Sequence, residues 1–295
     1  LGVHAQASAL RACTRAGQAP AAWRVLREWV RRPRPVHAYN LMLAMLGRAG
    51  DPQLLDDLVQ EMRADGCAPD TITYTSMIAA YGAASDVQGA LRTLAEMESH
   101  GLALTEVEFG VALAACARNG DHESCARLMA RMDELGVAPH VGHFTSLMTS
   151  CARRSLEGQA KAAFEDMLRR GIEPDVVAYT SLASCISGPG ALERVRELLA
   201  ELRGRGLLPH AYFYGELLRV AAEAGDRGAC EEILEEMQRN GIRPNARTEF
   251  RIQRAQRLLE DQEWQRQEEQ RQHQQHERRQ PQQQPQQQQQ QQLQP

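Results

Sequence analysis

Six glycines recur at a fixed interval of 35 residues: Gly66, Gly101, Gly136, Gly171, Gly206 and Gly241. A period of this size, held with no insertion, marks a stacked-repeat architecture and constrains the fold more than any local motif does. Aligning on the glycines gives the units 36–70, 71–105, 106–140, 141–175, 176–210 and 211–245. Each glycine ends a helical pattern and is followed by an apolar residue (Leu102, Val137, Ile172, Leu207, Ile242), with Cys67 in the first unit. A proline stands three places after the glycine in every unit but one, where Leu104 replaces it. Glycine ends a helix in the left-handed conformation at little cost, and proline prevents the helix from resuming.

Before each glycine the apolar residues fall at i, i+3, i+4 and i+7, one face of an α-helix. Cys125, Leu128, Met129 and Met132 are one such set, and Cys230, Ile233, Leu234 and Met237 another. The first half of each unit predicts a second helix, opening at Tyr39, Tyr74, Phe109, Phe144, Tyr179 or Tyr214. Turns such as Gly50-Asp51, Gly120-Asp121 and Gly225-Asp226 separate the halves. A lone helical hairpin leaves an apolar face open, and stacking on its neighbours closes it. The expected fold is therefore an all-α solenoid of helix-turn-helix repeats.

The chain has 43% hydrophobic residues but only five Phe, six Tyr and three Trp, so its core has to be aliphatic and alanine-rich. No apolar run approaches the roughly 18 residues of a membrane span, and no membrane partner is expected. Residues 1–35 read as a degenerate N-terminal repeat, with Gly17 at its turn and Val25, Leu26 and Trp29 in its second helix. Residue 1 is Leu, which points to a fragment or a processed chain. Residues 246–265, with Phe250, Ala255, Leu258 and Leu259, are expected to form a capping helix. Residues 266–295 form a Gln-rich low-complexity tail, helical to 279 and disordered from 280.

The net charge is −4 and unevenly spread. Residues 1–35 hold seven Arg against one Glu, whereas the six units are acidic. A strongly basic domain would point directly to nucleic acid, and this chain lacks that signal. Cysteines recur in register: Cys116 and Cys151 are one period apart, and Cys125 and Cys230 share a small-residue place with Ala90 and Ala160. Such cysteines pack. With no C-x-x-C pair, and with His140-x-x-His143 split across a unit boundary, no metal site is expected. No phosphate-binding glycine loop and no nucleophile elbow occurs, so neither a cofactor nor a catalytic site is expected.

The period, the aromatic that opens the first helix, the Met near the end of the second and the closing Gly-x-x-Pro-Asp together resemble the pentatricopeptide repeat. Tyr74-Thr75-Ser76-Met77-Ile78 and Tyr179-Thr180-Ser181-Leu182 are similar to its opening motif. The resemblance implies a right-handed superhelix that reads single-stranded RNA, one hairpin per base, in mitochondria or chloroplasts. It implies that the fifth and last residues of a unit select the base. Asn40 with Asp70 resembles a uridine reader, and Thr145 with Asp175 a guanosine reader. Thr75 with Thr105, and Thr180 with His210, receive no base. Gly110 with His140, and Gly215 with Asn245, lack a side chain at the fifth place. The second residue is implied to sandwich the base: Ile72, Val107 and Val177 match, while His37, Gly142 and Tyr212 depart from the pattern. The thirteenth is implied to meet phosphate, as Arg48, Arg118 and Arg153, with Arg15 equivalent in the degenerate unit; Ala83, Gly188 and Glu223 occupy that place elsewhere.

Simpler roles exist for the same residues. Asp70, Asp175 and Asn245 precede helices and are good N-caps. The threonines can bond within the first helical turn, and the arginines can sit at helix ends favoured by the dipole. Shared register favours the RNA reading for the set. The resemblance implies RNA processing, stabilisation or translation by a monomer. Two alternatives are the tRNA-precursor-binding region of a protein-only RNase P-like enzyme and a protein scaffold that uses the acidic outer face or the Gln-rich tail.

Overall fold

The computed structural model describes residues 34–49 and 52–279, and every regular element among them is an α-helix. In chain order these are α1 (Val36–Ala49), α2 (Pro52–Ala64), α3 (Thr71–Ala83), α4 (Val87–Ser99), α5 (Glu106–Asn119), α6 (His122–Glu134), α7 (Val141–Ala152), α8 (Glu157–Arg169), α9 (Val176–Cys185), α10 (Ala191–Gly204), α11 (Ala211–Glu223), α12 (Arg227–Arg239) and α13 (Ala246–Arg279). Each unit of the sequence is one helical hairpin of an all-α repeat solenoid. The degenerate repeat 1–35 falls almost wholly, and the tail from 280 wholly, outside the described residues.

The closing glycines do what their spacing predicts. All six adopt positive φ, between 67° and 75°. The residue after each donates its N–H to the carbonyl five back, as from Val137 to Met132 (2.9 Å) and from Ile172 to Met167 (3.0 Å). This is the Schellman geometry, and it satisfies carbonyls that a helix end otherwise leaves open. The residue whose carbonyl accepts that bond is Met62, Met97, Met132, Met167, Leu202 or Met237, and its side chain is buried in every repeat. The turn and the core are thus fixed by the same few residues.

The chain divides into two compact units, 1–186 and 187–295. The division falls inside the fifth repeat, between its two helices. There α9 stops at Cys185, and Ser187-Gly188-Pro189-Gly190 follows, with positive φ at both glycines. Proline has no N–H to continue a helix. A uniform 35-residue alignment conceals this break, because the repeat keeps its length while its first helix shortens.

In the first unit the first helices of successive repeats pack side by side, α1 on α3, α3 on α5, α5 on α7 and α7 on α9. Tyr39, Tyr74, Phe109, Phe144 and Tyr179 are fully buried along this row. Ion pairs link successive second helices: Arg63 with Glu96, Arg131 with Glu98, and Arg170 with Asp133 (2.7 Å). In the second unit α11 packs on α10, α12 and α13, and Arg203 pairs with Glu236. The opening stretch of α13 takes the position of a further first helix, with Ala255 buried and Thr248 bonded to the Ala211 carbonyl (3.0 Å). One helix spans both the expected cap, 246–265, and its extension to 279.

Candidate nucleic-acid interface

The last residue of each repeat is the N-cap of the next first helix, so a single residue both starts a helix and stands at a repeat junction. Asp70 accepts from Thr73 N (2.8 Å), Thr105 from Val107 N (3.3 Å), His140 from Gly142 N (3.0 Å) and Asp175 from Ala178 N (2.7 Å). Asn245 does the same for Thr248 N (2.9 Å). His210 caps α11 without a side-chain bond and packs edge-on against Tyr212. The capping role expected on simple grounds is therefore real. It does not exhaust these side chains, since a carboxylate has about four acceptor positions and the cap uses one.

The fifth residue lies one helical turn further on. Asn40 Nδ2 donates to Asp70 Oδ1 at 3.1 Å, so this fifth–last pair is joined directly. Burial raises the Asp70 carboxyl, and hydrogen bonds from Thr73 and Asn40 outweigh it, leaving the group below its ordinary value. Thr145 and Thr180 instead turn their hydroxyl protons to the carbonyls of Val141 (2.8 Å) and Val176 (2.6 Å). Their outward faces are left as acceptors. Thr180 belongs to the first compact unit and His210 to the second.

The second residues are exposed although apolar. Ile72 is 62% exposed, Val107 54% and Val177 49%, which sets them apart from the buried aliphatic core. Tyr212, which departs from the aliphatic pattern, is 44% exposed and lies under the Arg247 guanidinium. At Gly142, a Cβ would stand 2.9 Å from His140 Cε1. The exposed His140 ring thus fills the space beside Gly142 where this repeat lacks a second-place side chain.

The second, fifth, thirteenth and last residues of unit 106–140 line one hollow. Val107, Gly110, Arg118 and His140 line an open cavity of about 620 Å³ floored by Ala79, Ala83 and Ala114. A Cβ on Gly110 would meet His143 Nε2 at 3.3 Å, so the missing fifth side chain is matched to a ring from the next repeat. Arg118 and Arg153 are both exposed. Each lies against the preceding repeat, Arg118 over Gly82 and Arg153 over Gly120. Arg48 lies in α1, and Arg15 lies outside the described residues.

The sequence reading missed the third residue of the repeat. Thr73, Glu108, His143 and Thr248 are all buried, and each bonds the N-cap residue before it. Thr73 also donates to Asn40 Oδ1 (2.7 Å), and Glu108 accepts from Thr75 (3.0 Å). His143 Nδ1 accepts from His140 N (3.0 Å), and its Nε2 faces the Glu106 carbonyl (3.0 Å). Burial lowers the His143 pKa, and the His140 N–H at Nδ1 requires the neutral ring. The signal was available as a capping box, Asp70-x-x-Thr73 and Thr105-x-x-Glu108, with the second polar residue three after the first.

The cysteines Cys116, Cys125, Cys151, Cys185 and Cys230 are buried within the helices. Among the described residues no group of three or more His, Cys, Asp or Glu is arranged to hold a metal ion, and no helix is long and apolar enough to cross a membrane.

A row of first helices carrying exposed apolar side chains beside polar pairs, repeated at one register, defines a helical-repeat solenoid. Residues 36–137 match the profile described as the pentacotripeptide-repeat region of PRORP. Residues 143–172 match that of the PPR repeat, and 163–214 and 197–248 that of the pentatricopeptide repeat domain. The chain belongs to the pentatricopeptide repeat family. It is similar to the solved pentatricopeptide repeat protein PPR10 in complex with an 18-nucleotide psaJ RNA element, with 24% identity and a TM-score of 0.55. That match covers 81% of this chain and 39% of the other. A structure of PPR10 from maize matches at 20% identity and a TM-score of 0.55, over 83% of this chain and 40% of that one. The likeness shows the fold, and the chain spans about two fifths of the length of these relatives. A search of curated proteins finds no match.

Proposed function

We propose that this chain binds single-stranded RNA along its first helices, one unpaired base per repeat, and selects bases through the fifth and last residues. The observation that carries the reading is the exposure of Ile72, Val107 and Val177 at one register beside polar pairs. A half-exposed apolar side chain costs solvation unless something flat covers it, and a base is flat. Asn40 with Asp70 selects uridine, and Thr145 with Asp175 selects guanosine three repeats later. Exposed Arg118 and Arg153 supply phosphate contacts, with Arg48 and Arg15 completing the row. The family bond and the RNA-bound PPR10 relative support this reading. Its setting is a mitochondrial or chloroplast transcript, which the bound protein protects, helps process or helps translate.

Fluorescence anisotropy with short labelled RNAs tests it. Tighter binding to a U-N-N-G site than to a scrambled sequence supports the code. Equal affinity removes the code, and no binding at low salt removes the function.

A second reading has one observation in its favour, the match of 36–137 to the repeat region of PRORP. In it, the repeats hold a tRNA precursor for a nuclease domain. Preference for a folded tRNA precursor over unpaired RNA would select this reading.

A further inference from the structure

The unit 71–105 carries Thr75 as its fifth residue and Thr105 as its last, and each hydroxyl can donate or accept. Left to rotate, they would give no fixed pattern to a base. The structure removes that freedom through a residue of the next repeat. Glu108 is 2% exposed and stands between the two hydroxyls. Thr105 Oγ1 donates to its Oε2 at 2.6 Å. Thr75 Oγ1 lies 3.0 Å from its Oε1 and 2.7 Å from the Thr71 carbonyl, and both of these are acceptors. Both hydroxyl protons therefore point into the protein. Thr105 N–H also donates to Glu108 Oε2 (2.9 Å), which locks the carboxylate in place.

Thr75 is half-buried and Thr105 exposed. Their hydroxyl oxygens offer lone pairs only, next to a buried negative charge. Ile72 and Val107 stand exposed, as second residues, on this repeat and the next. A pair of acceptors fits a base edge bearing two adjacent donors. Among the four RNA bases only guanine has one, its N1–H beside the N2 amine. The pair Thr145 and Asp175 reaches the same pattern by another route. Thr145 turns its proton to Val141, and the Asp175 carboxylate accepts. There the third place of the next repeat is Ala178, and the last residue carries the charge itself.

We infer that Glu108 is a positioning residue that makes the Thr75–Thr105 repeat a guanosine reader, so that the array reads U-G-N-G where its fifth and last residues alone give U-N-N-G. The inference rests on the RNA-binding reading above. It also gives the third residue of a repeat a role in the specificity of the preceding one.

The test uses the full chain and four labelled RNAs of the form U-X-N-G, with X as G, A, C or U, together with a scrambled control. The unaltered protein is expected to bind X = G roughly tenfold more tightly than the other three, the discrimination of one well-placed base contact. Glu108→Ala removes the shared acceptor: Thr75 keeps the Thr71 carbonyl, and the Thr105 hydroxyl proton is released to turn outward. The four affinities should then fall within about threefold of each other. Thr105→Asp combined with Glu108→Ala rebuilds the arrangement of Thr145, Asp175 and Ala178, and should restore the preference for G. That rescue distinguishes a role in specificity from one in folding. Equal binding of all four RNAs by the unaltered protein, with the U-N-N-G preference over the scramble intact, overturns this inference alone. Glu108→Ala with an unchanged G preference also overturns it. Loss of the preference over the scramble overturns the code and this inference with it.

Discussion

Thr73 Oγ1 lies 2.7 Å from Asn40 Oδ1, although 33 residues separate them. The contact joins the third residue of one repeat to the fifth of the repeat before it. The same hydroxyl lies 2.8 Å from Asp70 Oδ1 and accepts from the Asp70 N–H at 3.2 Å. Both members of a fifth–last pair are therefore held by one buried side chain. A pair held this way presents fixed groups to a ligand and loses little entropy on binding.

Replacing that hydroxyl should weaken both the fold and the readout. Thr73→Val keeps the volume but strands the Asp70 N–H and leaves the Asn40 side chain held by its bond to Asp70 alone. A buried hydrogen bond of this kind contributes about 1–2 kcal/mol when its partners are left unsatisfied. Urea denaturation should show a loss of that size, and RNA binding should show a weaker preference for U in the first place. Unchanged stability would mean that the bond contributes nothing to the fold.

His143 predicts a pH dependence. Its ring is buried and neutral, with a pKa lowered below the ordinary histidine value. The unfolded chain takes up this proton more readily than the folded one. Stability from this residue is complete above about pH 6.5 and is lost as pH falls toward the folded value. Denaturation midpoints should therefore drop between pH 7.5 and 5.5. His143→Gln can still accept from His140 N–H and donate to the Glu106 carbonyl without titrating. It should flatten that drop, and an equal drop in the variant would assign the effect elsewhere.

Much of the fold was legible in the sequence, because its signals are local and repeat. The 35-residue glycine period gave the hairpins, and the buried Met62, Met97, Met132, Met167 and Met237 follow from helical spacing alone. The break after Ile186 was less visible, because Gly188-Pro189-Gly190 shortens a helix without changing the period. The second, fifth and last residues of the proposed readout were singled out by register. Their partners were not, because a third-place residue serves the preceding repeat. Glu108 bonds Thr75 across 33 residues, and a scan within one unit assigns it to the wrong hairpin.

The glycines divide by backbone rather than by space. Gly171 has φ 72° and nothing within 4 Å of an added Cβ, so Gly171→Ala meets strain alone. The expected cost is about 1 kcal/mol. Gly158, in the first turn of α8, also has open space and no positive φ. There Gly158→Ala should stabilise by about 0.5 kcal/mol, by narrowing the unfolded ensemble. Opposite shifts of the two urea midpoints would establish the distinction, and equal shifts would refute it.

Arg118 and Arg153 carry the electrostatic part of the proposed function. Both are exposed and lie over glycines of the preceding repeat, Gly82 and Gly120, where a Cβ would overlap their side chains. Those glycines leave room for the Arg118 guanidinium and for the aliphatic stem of Arg153 across a repeat junction. Each phosphate neutralised on single-stranded RNA contributes about 0.7 to the slope of log affinity against log salt. Arg118→Glu with Arg153→Glu should therefore lower that slope by roughly 1.4 and weaken binding to every RNA alike. The preference for U-N-N-G over a scrambled site should persist where binding is measurable, because the fifth and last residues are untouched. A slope that does not change would place the phosphates elsewhere. A lost preference with an unchanged slope would make these arginines base readers instead.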